Sequence, residues 1–323
     1  MTMQEIQTEV TMPSLPKVTI ICMSYNHEKY IARALDGFLM QEVDFPLEII
    51  VHDDASPDGT SDIIREYQKR FPGRIDAVLQ EENQVQKGIS NLSMLTAQAR
   101  GRYVALCEGD DYWLDPHKLR RQVAYMEAHP ECSICSHRVL RVDAEDQDIL
   151  EPWPLIEEAR EYSIKDVLAL NIIPTASVVY RNMPLAVWRQ WRGDHKFTMG
   201  DWPLWVFLLT QGYGFHFSES MGAYRIHHGG FWSSASKIVS AKRYIGFHSC
   251  MVQLMDYPLN RISRRQLSFW YLSLSACPEL SRIEELGAFC RSITSLHPLD
   301  YFAHFYTRSR RAAKILLRWL SLR

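Results

Sequence analysis

The segment RYVALCEGDDYW, Arg102–Trp113, changes from apolar to acidic within a few residues. Its apolar half has the length and character of a buried β-strand. The acidic half places Glu108, Asp110 and Asp111 within four residues, where their charges repel and require water or a cation. Buried strands that end in polar residues are typical of parallel sheets, in which ligands bind where the strands end.

Two earlier strands end in the same way. KVTIICMSYN (17–26) runs into Ser24–Asn26, and LEIIVHDD (47–54) ends at Asp53 and Asp54. Helical patterns separate the strands, and Asn26 is placed to cap the first helix. Alternating strands and helices with short connections predict a mostly parallel sheet covered by helices on both faces. The three polar clusters should therefore meet in one crevice at the carboxyl edge of the sheet.

The second half of the chain continues this pattern and then changes. A strand is predicted at TASVVY (175–180) and a helix at DWPLWVFLL (201–209), whereas strand signals are missing after Ser233. We therefore predict a leader at 1–16, an α/β domain at 17–232 and a basic helical C-terminal region at 233–323.

Composition and charge separate the two main parts. The chain is 46% hydrophobic and 23% charged, which excludes a disordered protein. Its net charge is −2, but from Ser233 onward 14 Lys and Arg face 5 Asp and Glu, a net charge of +9 that leaves −11 for the preceding residues. The two parts are expected to meet different partners, and we expect no nucleic-acid partner.

The sequence favours a cytoplasmic location. No apolar run approaches the ~18 residues that a membrane span needs, and MTMQEIQTEV lacks the features of a signal peptide. Seven scattered cysteines fit a reducing compartment. A zinc site at Cys132 and Cys135 would need a second cysteine or histidine pair at comparable spacing, so we interpret these two as core residues of a strand.

Five motifs, in their order along the chain, resemble those of the family 2 glycosyltransferases of the GT-A fold. The resemblance covers about residues 17–232 and is carried by Ser24–Asn26, Asp53–Thr60, Glu108–Asp111, Gly200–Trp202 and Tyr224–His227. It implies a Rossmann-like α/β fold for these residues, to which the helical pattern after Ser233 adds a C-terminal helical region. It also implies an inverting transferase that moves a sugar from a nucleotide diphosphate sugar to an acceptor hydroxyl, in the synthesis of a bacterial cell-surface polysaccharide such as lipopolysaccharide, capsule or exopolysaccharide.

The resemblance implies Mn²⁺ or Mg²⁺ as cofactor, bound by Asp110, with His227 contacting the metal or the diphosphate. Glu108 stands where the family more often has aspartate, facing the ribose or a metal-bound water. Asp111 is interpreted as orienting the acceptor or capping the next turn. The same acids also fit a solvated turn before the helix that begins near Pro116.

The nucleotide is expected at Tyr25, Asp53 and Asp54. By resemblance, the Tyr25 ring stacks on the base, and Asp54, supported by Asp53, accepts the imide N–H that uracil has and cytosine lacks. This indicates a uridine or thymidine donor, most simply a UDP-sugar. The alternative is that both aspartates only open the turn before SPDGT.

An acceptor hydroxyl needs a base to take its proton during attack. The resemblance places this catalytic base at Asp201, where one acid of the family's pair is replaced by Gly200, and Asp194 is the second candidate. Asp201 also fits the start of a helix, because Pro203 follows within the first turn.

Two other functions stay open at this stage. A nucleotidyltransferase that makes sugar nucleotides would need a glycine-rich basic loop after the first strand, but the chain has SYNHEKY there. An inactive nucleotide-sugar-binding partner would not need both Asp110 and Asp201.

The end of the chain predicts an amphipathic helix from about Ser309. Its basic residues fall on one side and its apolar residues, with Trp319, on the other. This pattern indicates peripheral binding to an anionic membrane, where a lipid-linked or other glycan acceptor would be presented. A helix docked on the domain with its basic face in water fits equally well.

Overall fold

The computed structural model describes residues 15–296 as one ten-stranded sheet with helices on both sides. The strands are β1 (Val18–Ser24), β2 (Leu47–Asp53), β3 (Asp76–Leu79), β4 (Tyr103–Glu108), β5 (Tyr112–Trp113), β6 (Cys132–Val142), β7 (Asp148–Trp153), β8 (Arg160–Tyr162), β9 (Val179–Arg181) and β10 (Tyr213–Arg225). The helices are α1 (Ile31–Leu39), α2 (Thr60–Arg70), α3 (Asn91–Thr96), α4 (Lys118–Ala128), α5 (Ile164–Ala169), α6 (Leu185–Arg192), α7 (Asp201–Leu209), α8 (Lys237–Leu254), α9 (Leu259–Leu274) and α10 (Arg282–Thr294). Most of the predicted leader and the predicted amphipathic helix lie outside the described residues.

The sheet is parallel in its first half and mixed in its second. Its order is β3-β2-β1-β4-β9-β6-β10-β5, with β7 beside β6 and β8 beside β10. Strands β3, β2, β1 and β4 are parallel, β9 runs antiparallel to β4 and β6, and β10 is parallel to β6. The predicted α/β fold class, with C-terminal helices, is confirmed.

Both faces of the central strands are buried. In β1, Ile21 packs into one apolar cluster with Trp202, while Ile20 and Cys22 pack into a second cluster on the opposite face with Phe38 of α1. Successive side chains of a strand point to opposite faces, so a strand covered on both sides is apolar on both faces. This explains why VTIIC has no polar alternation, and its one polar side chain, Thr19, is buried and donates to Glu48.

The first helix begins later than the sequence predicted. Helix α1 starts at Ile31 with Tyr30 at its N-cap, so the predicted capping role of Asn26 is wrong. Asn26 has a φ of 61°, a left-handed conformation that asparagine tolerates better than most residues, and its backbone N–H donates to Ser56 Oγ at 2.8 Å. Asn26 therefore ties the turn after β1 to the turn after β2.

The C-terminal helices pack against the rest of the fold. Trp202 of α7 stacks on Phe247 of α8 with the ring centroids 3.9 Å apart, and both rings belong to the same apolar cluster as Ile21 of β1. Within residues 15–296, no helix combines the length and the apolar character needed to cross a membrane.

Replacing Phe247 with alanine should lower the free energy of unfolding by about 3–5 kcal/mol, because the change removes a buried ring and leaves a cavity beside Trp202. Urea unfolding followed by tryptophan fluorescence measures the difference. Val239→Ala is the matched control, since Val239 lies on the same helix and is 41% exposed. Equal effects of the two substitutions would contradict the packing of α8 on α7.

Candidate active site

The three polar clusters predicted at strand ends lie at one edge of the sheet. In the register of β1 with β4, Met23 is paired with Glu108, and in that of β1 with β2, Ser24 is paired with Asp53. The turns after β1, β2 and β4 therefore leave the sheet side by side. The predicted crevice is the space above these three strand ends.

The turn after β4 lies so close to β1 and α1 that it has no room for a side chain at Gly109. A Cβ atom there would lie 2.8 Å from Ile31 Cδ1, 2.9 Å from His27 Nδ1 and 2.9 Å from Ser24 Cβ. Glycine thus lets the acidic residues on either side sit directly against the neighbouring strand end.

The carboxylates of Glu108, Asp110 and Asp111 form one cluster, with a ligand atom of each within 4.8 Å of the others. Burial, together with the charges of Asp110 and Asp201, raises the pKa of Glu108 to about 8. Burial, together with the charges of Asp110 and Glu108, raises the pKa of Asp111 well above its ordinary value. Asp111 Oδ2 is buried and has no hydrogen-bond partner among the described residues. Such a cluster is stabilised by a cation.

Two histidines face Asp110. His227 Nε2 donates to Asp110 Oδ2 at 3.1 Å, and His27 Nε2 lies 3.6 Å from the same oxygen. Burial opposes the charge on Asp110, but the two histidines outweigh it and hold the pKa of this carboxyl below its ordinary value. The sequence prediction included His227 and missed His27, although His27 directly follows the SYN motif.

Arg225, at the end of β10, fixes the acidic turn. Its backbone N–H donates to Asp111 Oδ1 at 2.9 Å, and its Nε donates to the carbonyl oxygen of Asp110 at 2.9 Å. The buried guanidinium also pairs with Asp146 at 2.6 Å and lies 4.5 Å from the centroid of the Tyr30 ring. The YRIH motif contained this residue, but its partners are distant in sequence.

Asp53 and Asp54 hold loops in place. Asp53 accepts from the backbone N–H of Ser56 at 3.1 Å and from the Ser56 hydroxyl. Asp54 accepts from the backbone N–H of Gln84 at 2.7 Å and from that of Val85 at 3.2 Å. Both carboxylates are buried, so in this structure they shape the turn after β2 and the loop that follows β3.

Tyr25 differs from these aspartates in its exposure. Its side chain is 43% exposed on the turn between β1 and α1. The next residue, Asn26, is bonded to Ser56, so this turn is anchored to the turn that Asp53 shapes. The Tyr25 ring therefore lies on a fixed turn at the carboxyl edge of the sheet and has surface free for a ligand.

Asp201 is the first residue of α7, with Gly200 at the N-cap position. Burial raises the pKa of Asp201, and the backbone of Trp202 and the side chains of Thr175 and Asn171, which lie beside the carboxylate, oppose this shift. The sequence prediction missed Thr175 and Asn171, because nothing in their own segment marks them as partners of residue 201.

The charge of Asp201 reaches the acidic turn. It contributes to the raised pKa of Glu108. The pKa of Tyr224 is also raised, by burial, by the three acids of the turn and by Asp201. Asp194, the second candidate for the base, is exposed in the turn between α6 and α7. The raised pKa values of Glu108 and Tyr224 thus link Asp201 to the acidic turn, whereas no such link is seen for Asp194 among the described residues.

Comparison with known families gives a match over the first half of the chain. A family model described as Glycosyl transferase family 2 matches residues 19–183. The uncharacterized protein Rv1520 of Mycobacterium tuberculosis is 42% identical over 220 residues, which are 68% of this chain and 61% of that protein. The putative teichuronic acid biosynthesis glycosyltransferase TuaG of Bacillus subtilis is 29% identical over 263 residues, which are 77% of this chain and 98% of TuaG.

Two solved structures share the fold. Staphylococcus aureus TarS 1–349 in complex with UDP-GlcNAc superposes with a TM-score of 0.63 at 20% identity, covering 87% of this chain and 82% of TarS 1–349. The mannosyltransferase PcManGT from Pyrobaculum calidifontis, in complex with GDP-Man and Mn²⁺, gives a TM-score of 0.57 at 17% identity, covering 93% of this chain and 81% of PcManGT. At these identities the likeness establishes the GT-A fold.

Proposed function

Because the chain belongs to glycosyl transferase family 2, we propose that it is an inverting glycosyltransferase that moves a sugar from a nucleotide diphosphate sugar to an acceptor hydroxyl. The observation that carries this proposal is the cluster of three carboxylates on the turn after β4, together with the buried Asp201, whose charge acts on that cluster. The acidic turn supplies metal ligands, and Asp201 lies close enough for its charge to raise the pKa of Glu108. Leaving-group stabilisation and proton removal are the two tasks that sugar transfer requires.

The acidic turn fits a divalent cation. Carboxylate oxygens are the ligands that Mg²⁺ and Mn²⁺ prefer, and the turn offers three carboxylates, one of which has a buried oxygen without a partner in residues 15–296. Asp110 and His227 would hold the ion, with Glu108 and Asp111 beside them. When bound, such an ion neutralises the negative charge that develops on the diphosphate leaving group. The Mn²⁺ in PcManGT supports the assignment by fold likeness.

Asp201 acts as the base in this proposal. Its carboxylate takes the proton of the acceptor hydroxyl while the hydroxyl oxygen attacks the anomeric carbon. The bond from that carbon to the diphosphate breaks on the opposite face, so a single displacement inverts the configuration. Burial raises the pKa of Asp201, which makes it a stronger base than an exposed aspartate. Thr175 and Asn171 keep its oxygens oriented.

The donor is proposed to be a UDP-sugar. Tyr25 offers its exposed ring to the base, and the Asp53–Asp54 segment shapes the adjoining turn. TarS is seen with UDP-GlcNAc and PcManGT with GDP-Man, so the shared fold accepts different nucleotides, and the choice of UDP follows the resemblance of Tyr25 and Asp54 to the family's base-binding positions.

Asp110→Asn should lower turnover by about 10²-fold or more, because it removes a ligand charge while keeping the shape of the side chain. Hydrolysis of UDP-, TDP- and GDP-sugars is measured with and without Mn²⁺, and the UDP-sugars should be the best substrates. EDTA should abolish the wild-type activity. Full activity of Asp110→Asn in the presence of EDTA would exclude the metal assignment, and a preference for GDP-sugars would exclude the proposed donor.

Asp201→Asn should keep donor affinity and lose transfer by about 10²- to 10⁴-fold, because only the proton acceptor is removed. In the wild type, kcat should fall as the pH is lowered through the raised pKa of Asp201, since the protonated carboxyl cannot accept a proton. Calorimetry with the nucleotide and pH–rate profiles measure the two effects. Asp194→Asn is the matched control. An inactive Asp194→Asn beside an active Asp201→Asn would reverse the assignment.

We further propose a place in cell-surface polysaccharide synthesis, such as that of lipopolysaccharide, capsule or exopolysaccharide, at the cytoplasmic face of the membrane. The name of TuaG supports a polysaccharide product. The basic amphipathic pattern after Ser309, which lies outside the described residues, supports contact with anionic lipid.

Reversing two charges of that pattern, Arg310→Glu with Arg311→Glu, should weaken sedimentation with anionic vesicles, because each basic residue near such a surface contributes about 1 kcal/mol. High salt should release the wild-type protein from the same vesicles. Hydrolysis of a soluble donor is measured in parallel as the control for folding. Unchanged vesicle binding by the double variant would contradict the membrane role.

A further inference from the structure

Beyond the end of strand β10, three aromatic side chains and one arginine pack together at the surface. Phe231, whose side chain is 53% exposed, lies against Arg243 of α8, with the guanidinium carbon 3.5 Å from the ring centroid. Arg243 Nη1 also donates to the carbonyl oxygen of Phe231 at 2.7 Å. The arginine thus holds the residue in place and covers one face of its ring. Because the side chain is 53% exposed, the part of the ring that Arg243 and Trp232 leave uncovered is open to solvent, and we call it the open face of Phe231.

Two further rings complete this corner. Trp232 stands at 89° to Phe231, with the centroids 5.5 Å apart, and lies 5.5 Å from the ring of Tyr244. The ring of Tyr244 stacks on that of Trp270 in α9, with the centroids 4.0 Å apart and an angle of 4° between the ring planes. We call Phe231, Trp232, Arg243 and Tyr244 the aromatic corner. Its rings are fixed by the helices α8 and α9 rather than by a loop alone.

The aromatic corner adjoins the base. Tyr244 lies 5.6 Å from Trp202, the residue after Asp201. Burial and the charge of Asp201 raise the pKa of Tyr244, which shows that the phenol senses that carboxylate. Thr198 Oγ1, three residues before Asp201, donates to the carbonyl oxygen of Arg243 at 3.3 Å.

The other end of the corner leads to the acidic turn. Phe231 follows His227, the residue bonded to Asp110, by four positions, and the backbone N–H of Gly230 donates to the carbonyl oxygen of His227 at 3.1 Å. The corner is thus linked to the acidic turn through residues 227–231 and to the residue after Asp201 through the contact of Tyr244 with Trp202.

We propose that the aromatic corner is an acceptor subsite, which binds a neutral sugar unit of a glycan acceptor against the open face of Phe231. This inference rests on the proposed role of Asp201 and adds the class of acceptor. The C–H groups on one face of a pyranose fit the electron-rich face of an aromatic ring. The corner lies beyond residue 183, where the family match ends.

Saturation-transfer NMR with the methyl glycosides of glucose, galactose, mannose, rhamnose and N-acetylglucosamine tests the subsite in the full chain. Phe231→Leu keeps an apolar side chain but removes the aromatic face, whereas Phe231→Tyr keeps the face. We expect at least one glycoside to receive saturation from the wild type and from Phe231→Tyr. Its affinity should fall about tenfold in Phe231→Leu. Val239→Ala, elsewhere on α8, should match the wild type.

Three results would overturn the subsite: no signal from any glycoside with the wild type, equal affinity of Phe231→Leu and the wild type, or an equal loss in Phe231→Tyr and Phe231→Leu. Hydrolysis of nucleotide sugars by the wild type, measured on the same samples, reports on the proposed function separately. Binding that depends on Phe231 in a protein that hydrolyses no nucleotide sugar would overturn the proposed function and leave the corner as a sugar-binding site.

Discussion

Mutual repulsion of the carboxylates at the end of β4 is the constraint to which the surrounding residues respond. Glu108, Asp110 and Asp111 share a partly buried volume, and water alone cannot screen them there. Arg225, the last residue of β10, and His227, two residues further along, bring hydrogen-bond donors to this turn. The end of β10 and the residues that follow it thus stabilise an arrangement of charges that the turn could not maintain by itself.

The sequence predicted the elements that build this edge because strand periodicity and strand-end polarity are local signals. The buried strands β1, β2 and β4, and the convergence of their polar ends, were read correctly from runs of a few residues. Contacts that join distant segments had no such signal. Arg225 and Asp111, or Asp201 and Thr175, meet only because the sheet brings β10, β4 and the segment before β9 together.

Turn residues were harder to interpret, because one side chain can serve the backbone and a ligand alike. Asn26 looked like a helix cap, yet the chain makes a left-handed turn there and bonds to Ser56 instead. Asp54 was predicted to meet a base, and in the structure its oxygens receive the backbone N–H groups of Gln84 and Val85. Asx residues favour such local bonds, so their type alone does not reveal which partner they serve.

The tight contact at Gly109 also has a consequence for how such sequences diverge. Ser24, His27 and Ile31 all lie within 3 Å of the point where a Cβ would stand. A lineage that acquired a side chain at position 109 could keep the turn in place only by shrinking or moving several of these neighbours. Changes at the four positions should therefore be inherited together. The spacing between β1, α1 and the acidic turn would then vary among relatives as one unit.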